Sequence, residues 1–233
     1  MTKLALVILL FSGALWALQM EMDLHANPSD STAISSEWEI LEFVTSDELA
    51  DKRSEYDDCY AKGKDSAICE KILDSWRKSC ARGEEKYCIG AFLFHSDLYI
   101  ASLTSDTPKQ KSNNSKIDES LTLLKQNCDK GMANSCHIVG EFYNEIYLKM
   151  RRSSKDEPHK ERQMLDNALL YFHKSCDLGM AISCSSIAKY WSFQGDTGWE
   201  QVKIYTNKAR KIVDRDCKAG VKIACEFKED VLD

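Results

Sequence analysis

Apolar positions along this chain recur at intervals of three, four and seven, the stripe that one face of a helix presents to a core. Leu165, Ala168, Leu169, Tyr171 and Phe172 form such a stripe before Cys176, and Ile117, Leu121, Leu123 and Leu124 form another before Cys128. Ile72, Leu73 and Trp76 lead into Cys80, and Ile204, Ile212 and Val213 into Cys217. A second amphipathic run then begins, most clearly as Cys136, Val139, Gly140, Phe142, Tyr143, Ile146 and Tyr147, and again as Cys184, Ile187, Ala188, Tyr190 and Trp191. No stretch sustains the alternation of a strand. The pattern predicts an all-α chain built from helix pairs, helix A followed by helix B.

The cysteines keep time with these runs. Cys80 and Cys88, Cys128 and Cys136, Cys176 and Cys184, and Cys217 and Cys225 are each eight apart, with Gly83, Gly131, Gly179 or Gly220 three after the first. Successive first cysteines are 48, 48 and 41 residues apart, inside the range of helical repeats. A glycine there suits the left-handed position that ends a helix. Each first cysteine then falls in the last turn of helix A and its partner in the first turn of helix B. A disulfide between them closes a short loop, worth about 2.6 kcal/mol by loop-closure entropy. Cys59 and Cys69 are ten apart and read as a fifth, N-terminal staple. Pairing Cys69 with Cys80 would span about 16 Å of a continuous helix, too far for a disulfide.

Two polar stretches, 104–116 and 151–162, interrupt the array and read as exposed connections or helix extensions. At the N-terminus Lys3 precedes an apolar run, Leu4 to Leu18, too short to span a bilayer as a helix. It reads as a signal peptide over residues 1–18, with an uncleaved anchor as the competing reading. Residues 19–52 read as a leader with a capping helix started by Ser35 or Ser36, and 53–233 as the repeat array with four full units. The tail after Cys225 reads as a polar cap. No membrane span is expected after cleavage, and the location is secreted or periplasmic, where disulfides persist.

Composition sharpens this. The 233 residues carry a formal net charge of −6, with 43% hydrophobic, three prolines and ten cysteines. So few prolines exclude a collagen-like or low-complexity chain. An acidic chain lacks the basic footprint of a nucleic-acid binder, so no nucleic-acid partner is expected.

The blocks LLYFHKSCDLGMAISCSSIAKYW and KARKIVDRDCKAGVKIACEFKEDVL resemble disulfide-bridged Sel1-like repeats, in particular those of the Helicobacter/Campylobacter cysteine-rich proteins. The resemblance covers residues 53–233. It implies an α/α superhelical solenoid related to tetratricopeptide repeats, secreted or periplasmic, acting as an adaptor for a protein or peptide partner. It also implies a second possibility, because several members are described as penicillin-binding or weak β-lactamases: a β-lactam or cell-wall-derived ligand. Helix B after Cys88 departs from the family, with Ala91, Phe92 and His95 at its Leu-Gly and aromatic positions.

Candidate chemistry is thin. Ser75-x-x-Lys78 and Ser186-x-x-Lys189 match the first motif of serine β-lactamases, but the partner motifs Ser-Asp-Asn and Lys-Thr-Gly are missing. His25, His95, His137, His159 and His173 are scattered without metal-ligand spacing, so no metal and no cofactor are expected. Tyr171, Phe172, Tyr190, Trp191 and Trp199 read as core between repeats, with a peptide groove as the alternative. No catalytic residue is identified; the ten cysteines are assigned to structure.

Overall fold

The helical period carries through wherever the chain is described. The computed structural model describes residues 38, 43–44, 46–102, 110–152 and 158–228. The expected signal peptide, most of the leader with its capping helix, and parts of both polar stretches lie outside the described residues. The elements are α1 (Asp47–Ala61), α2 (Ser66–Glu70), a 3-10 turn (Lys71–Leu73), α3 (Asp74–Ala81), α4 (Glu85–Ser102), α5 (Gln110–Asp129), α6 (Ala133–Arg152), α7 (Pro158–Asp177), α8 (Ala181–Ser192), a second 3-10 turn (Gly195–Gly198), α9 (Trp199–Lys218) and α10 (Lys222–Phe227). No strand occurs among the described residues.

Four A/B pairs follow: α3/α4, α5/α6, α7/α8 and α9/α10. Their turns share one set of hydrogen bonds. Gly179 N–H donates to the Cys176 carbonyl at 3.1 Å and Met180 N–H to the Ser175 carbonyl at 3.1 Å. These bonds close the helix end through a residue in the left-handed region, and Gly179 has φ +96°. The same two bonds recur from Gly83 and Glu84, from Gly131 and Met132, and from Gly220 and Val221. Only three residues separate α7 from α8.

The turn sets the two helix ends close enough for a bridge. Cys80–Cys88, Cys128–Cys136, Cys176–Cys184 and Cys217–Cys225 are disulfides with Cα–Cα distances of 4.6, 4.7, 4.9 and 4.8 Å. Cys59–Cys69 forms the fifth, at 5.5 Å, between α1 and α2. The first helix A differs from the continuous helix expected between Cys69 and Cys80: Lys71–Leu73 tightens to a 3-10 turn between α2 and α3. The polar stretches are partly helical too, since α5 begins at Gln110 and α7 at Pro158.

Consecutive pairs pack helix B against the next helix A, as α6 does on α7 and α8 on α9. The α6–α7 contact is close at Gly140, where an added Cβ would lie 2.7 Å from the Phe172 ring. Polar side chains stitch the same seams. Glu85, at the start of α4, accepts from the Ser135 N–H at 2.8 Å, the Ser135 hydroxyl at 2.7 Å and the Asn134 amide at 3.1 Å. It thereby caps α6, whose first N–H groups have no partner within the helix and favour a negative charge. Ser175 Oγ donates to the Ala133 carbonyl at 2.8 Å, tying α7 to α6.

Removing one staple and overfilling one seam should cost comparable amounts. Replacing Cys176 and Cys184 together by Ala should lower the unfolding free energy by about 2.6 kcal/mol. Gly140→Ala should lower it by about 1–3 kcal/mol through displacement of Phe172. Urea unfolding under oxidising conditions measures both.

Candidate functional site

The residue before each first cysteine is buried: Ser79, Asn127, Ser175 and Asp216. Placed in the last turn of helix A, it bonds across the seam to the preceding pair at Asn127 and Ser175, whereas Ser79 accepts from Arg82 in its own turn, and from Ser175 a network starts. Ser183 Oγ on α8 donates to Ser175 Oγ at 2.8 Å. His137 on α6 lies 2.9 Å from Ser183 Oγ through Nδ1. Ser183 has already spent its proton on Ser175, so it accepts from His137, which fixes the Nδ1–H tautomer. The other face of the imidazole, Nε2, lies 4.0 Å from Glu141 Oε1. Ser186 Oγ donates to that same oxygen at 3.5 Å.

Burial decides the charge state of this cluster. It lowers His137 to about 4. It pushes Glu141 up to about 8, assisted by Glu145 and opposed by the Asn144 hydrogen bond, Lys189 and the Ser186 hydrogen bond. Burial also lowers Lys189, with Glu141 acting against it. At neutral pH both His137 and Glu141 are therefore uncharged, and their proximity is not an ion pair.

Two of the three groups a serine acylation site would use thus converge on Ser186: Lys189 one turn along α8, and Glu141 across the seam. The chemistry does not follow. Glu141 holds its proton at neutral pH and does not act as a base there. Ser186 sits inside α8, where backbone N–H groups are engaged by the preceding turn and leave none for an oxyanion. Ser75 and Lys78 are both exposed on α3, a solvated face.

A second polar cluster lies in the first pair. Tyr56 Oη donates to Glu70 Oε1 at 2.9 Å, Arg77 pairs with Glu70, and Arg77 Nη2 lies 3.1 Å from His95 Nε2. His173 sits 3.1 Å from Tyr205 Oη across the α7–α9 approach, and burial lowers its pKa. Among the described residues no three His, Cys, Asp or Glu side chains converge to hold a metal ion. His25 lies outside the described residues.

Of the aromatic set, Phe172 is core, and Tyr171 stacks on Tyr143 at 6.1 Å between ring centroids. Tyr190 and Trp191 meet edge to face at 5.4 Å, whereas Trp199 is 41% exposed. The aromatic that reaches farthest is one the helical stripes do not contain. Trp38, 3% exposed, belongs to the last core cluster, with Ala209, Ile212, Val213, Ala224 and Phe227. Its Nε1–H donates to Asp216 Oδ2 at 2.7 Å, across 178 residues of sequence. Its ring meets Phe227 at 5.7 Å with a 61° tilt. Phe227 is thus buried, not part of the polar cap expected for the tail. Phe43 reaches the opposite end, 5.9 Å from Trp76 and 6.1 Å from Tyr87.

The comparisons return no match. Neither a protein-family model, nor a curated protein, nor a solved structure is similar to this chain. What it does has to be argued from this geometry. No helix among the described residues is long and apolar enough to cross a membrane.

Glu141 and His137 carry a measurable pH signature. The raised Glu141 favours the folded state while protonated, a contribution complete below about pH 4.5 and lost as pH rises through about 8. The lowered His137 favours the folded state while neutral, a contribution gained between about pH 4 and 6.5. Above pH 6.5 the His137 contribution is constant, and of the two only that of Glu141 still changes with pH. Urea midpoints of the wild type should fall from pH 6.5 to 8.5, and those of Glu141→Gln should fall less.

Proposed function

We propose that this chain is a disulfide-stapled solenoid of the Sel1-like kind that works outside the reducing cytoplasm and binds peptide segments of a protein partner. Five disulfides and no free cysteine among the described residues support an oxidising compartment. Four helix pairs closed by one turn geometry support the repeat reading.

The observation that carries the binding role is the seating of Trp38 and Phe43. Five residue steps reach at most about 18 Å. Trp38 packs on the last pair and Phe43 on the first, so the two ends of the array come within that reach. A curved array accounts for this, and its first and last pairs already accept aromatic side chains from a segment outside the repeats. The penicillin reading has one foothold, Ser186 beside Glu141 and Lys189, and the protonated Glu141 works against it.

Selection from a displayed random-peptide library on the oxidised full chain should enrich a shared aromatic motif with micromolar affinity, lost after reduction. Enrichment no greater than on the reduced, unfolded protein overturns the adaptor reading. Labelled penicillin should leave no stoichiometric covalent adduct; an adduct abolished by Ser186→Ala would establish the lactam reading instead.

A further inference from the structure

The position occupied by Asp216 repeats through the array as Ser79, Asn127 and Ser175, and only at the last pair is it a carboxyl side chain; Ser79 accepts from Arg82 in its own turn. At the equivalent places Asn127 donates to Cys88 Sγ at 3.5 Å and Ser175 donates to the Ala133 carbonyl at 2.8 Å. Both are neutral donors that bond back to the preceding pair. Asp216 is fully buried and, when ionised, only accepts. One oxygen takes the Arg215 Nε–H at 2.7 Å and the other takes the Trp38 indole at 2.7 Å. A buried carboxylate is costly unless donors meet it, so its place here selects for a donor on an apolar ring. Indole is the side chain that carries both.

The donor does not belong to the repeats. Trp38 precedes every helix pair and arrives from the other end of the chain, so the last pair holds it as it would hold a ligand. A single deeply seated tryptophan with one satisfied hydrogen bond is the anchor typical of protein–peptide interfaces.

We infer that the socket formed by Asp216, Phe227 and the apolar face of α9 is a docking site for a tryptophan-bearing peptide segment of a partner protein, and that Trp38 occupies it until displaced. This rests on the reading of the array as a peptide binder and names the partner's anchor. A short tether gives Trp38 an effective concentration of about millimolar. A free peptide making the same contacts therefore competes poorly with the wild type and well once Trp38 is gone, because apparent affinity scales with the fraction of open sites.

The probe is a fluorescent peptide with the sequence of residues 36–46, SEWEILEFVTS, titrated by anisotropy against the oxidised full chain. Trp38→Ala should bind it at least ten-fold more tightly than the wild type. The same peptide with Ala in place of its tryptophan should bind neither protein. Equal affinity for wild type and a folded Trp38→Ala, or binding indifferent to the peptide's tryptophan, overturns the inference. Should Trp38→Ala lose its helical circular dichroism, Trp38→Phe keeps a ring and removes the donor. It should still bind the peptide more tightly than the wild type, and unchanged affinity is again fatal. Light scattering on the same samples detects exchange of this segment between copies; a dimer that the peptide does not dissociate would assign the socket to a second copy and overturn the partner. Peptides recovered by library selection that lack tryptophan would refute this inference while leaving the adaptor reading intact.

Discussion

Each helix pair turns on the carbonyl of the residue before its first cysteine. That carbonyl accepts the N–H of the residue that follows the turn glycine, as Ser175 does from Met180 at 3.1 Å, and the chain reverses within three residues. Everything else inherits this reversal. It sets the cysteine Cα atoms 4.6 to 4.9 Å apart in the four pairs, inside the range a disulfide needs. At Asn127 and Ser175 the side chain of that same residue also bonds to the preceding pair. In those two pairs one position therefore closes the pair through its backbone and joins pairs through its side chain.

The seams between pairs are consequently polar as well as apolar, and they work because the polar groups are satisfied and mostly neutral. Ser183, Ser175 and the Ala133 carbonyl form a directed chain of hydrogen bonds with His137 as its donor. Burial strips His137 and Glu141 of charge at neutral pH, which removes the desolvation cost that two ions would carry there. The same neutrality makes Glu141 a poor base for Ser186. Packing and catalysis ask for opposite charge states at this site, and packing prevails.

Much of this was legible in the sequence and some was not. Helical stripes before and after each Cys-x2-Gly-x4-Cys block mark the pairs, because burial of one helix face leaves a period that survives without coordinates. The glycines mark the turns for a local reason, the left-handed φ. Contacts across seams leave no such period. Nothing near Glu141 signals Ser186, 45 residues away, and nothing near Trp38 signals Asp216, 178 residues away. The 3-10 turn at Lys71–Leu73 also escaped notice, since Ile72, Leu73 and Trp76 satisfy a helical stripe whichever way the backbone winds. The buried Phe227 was hidden among charged neighbours, where local polarity outweighed one ring.

The last pair shows why such a long-range contact arises. In a stack of helix pairs each pair covers its neighbour, and the terminal pair needs a substitute to shield its apolar face. Here the shield includes Trp38, borrowed from the opposite end of the chain and set against α9 and Phe227. A cap made from a following repeat would be welded in place by its own turn and disulfide. A cap made from one indole is held by its hydrogen bond to Asp216 and by packing against Phe227 and α9, without a covalent link to either helix of the pair. The contact that completes the stack is thus among its least covalently secured, and the surface beneath it is shaped for an aromatic donor. The partner recognition we propose therefore draws on the same surface that Trp38 covers, with Asp216 as the residue common to both.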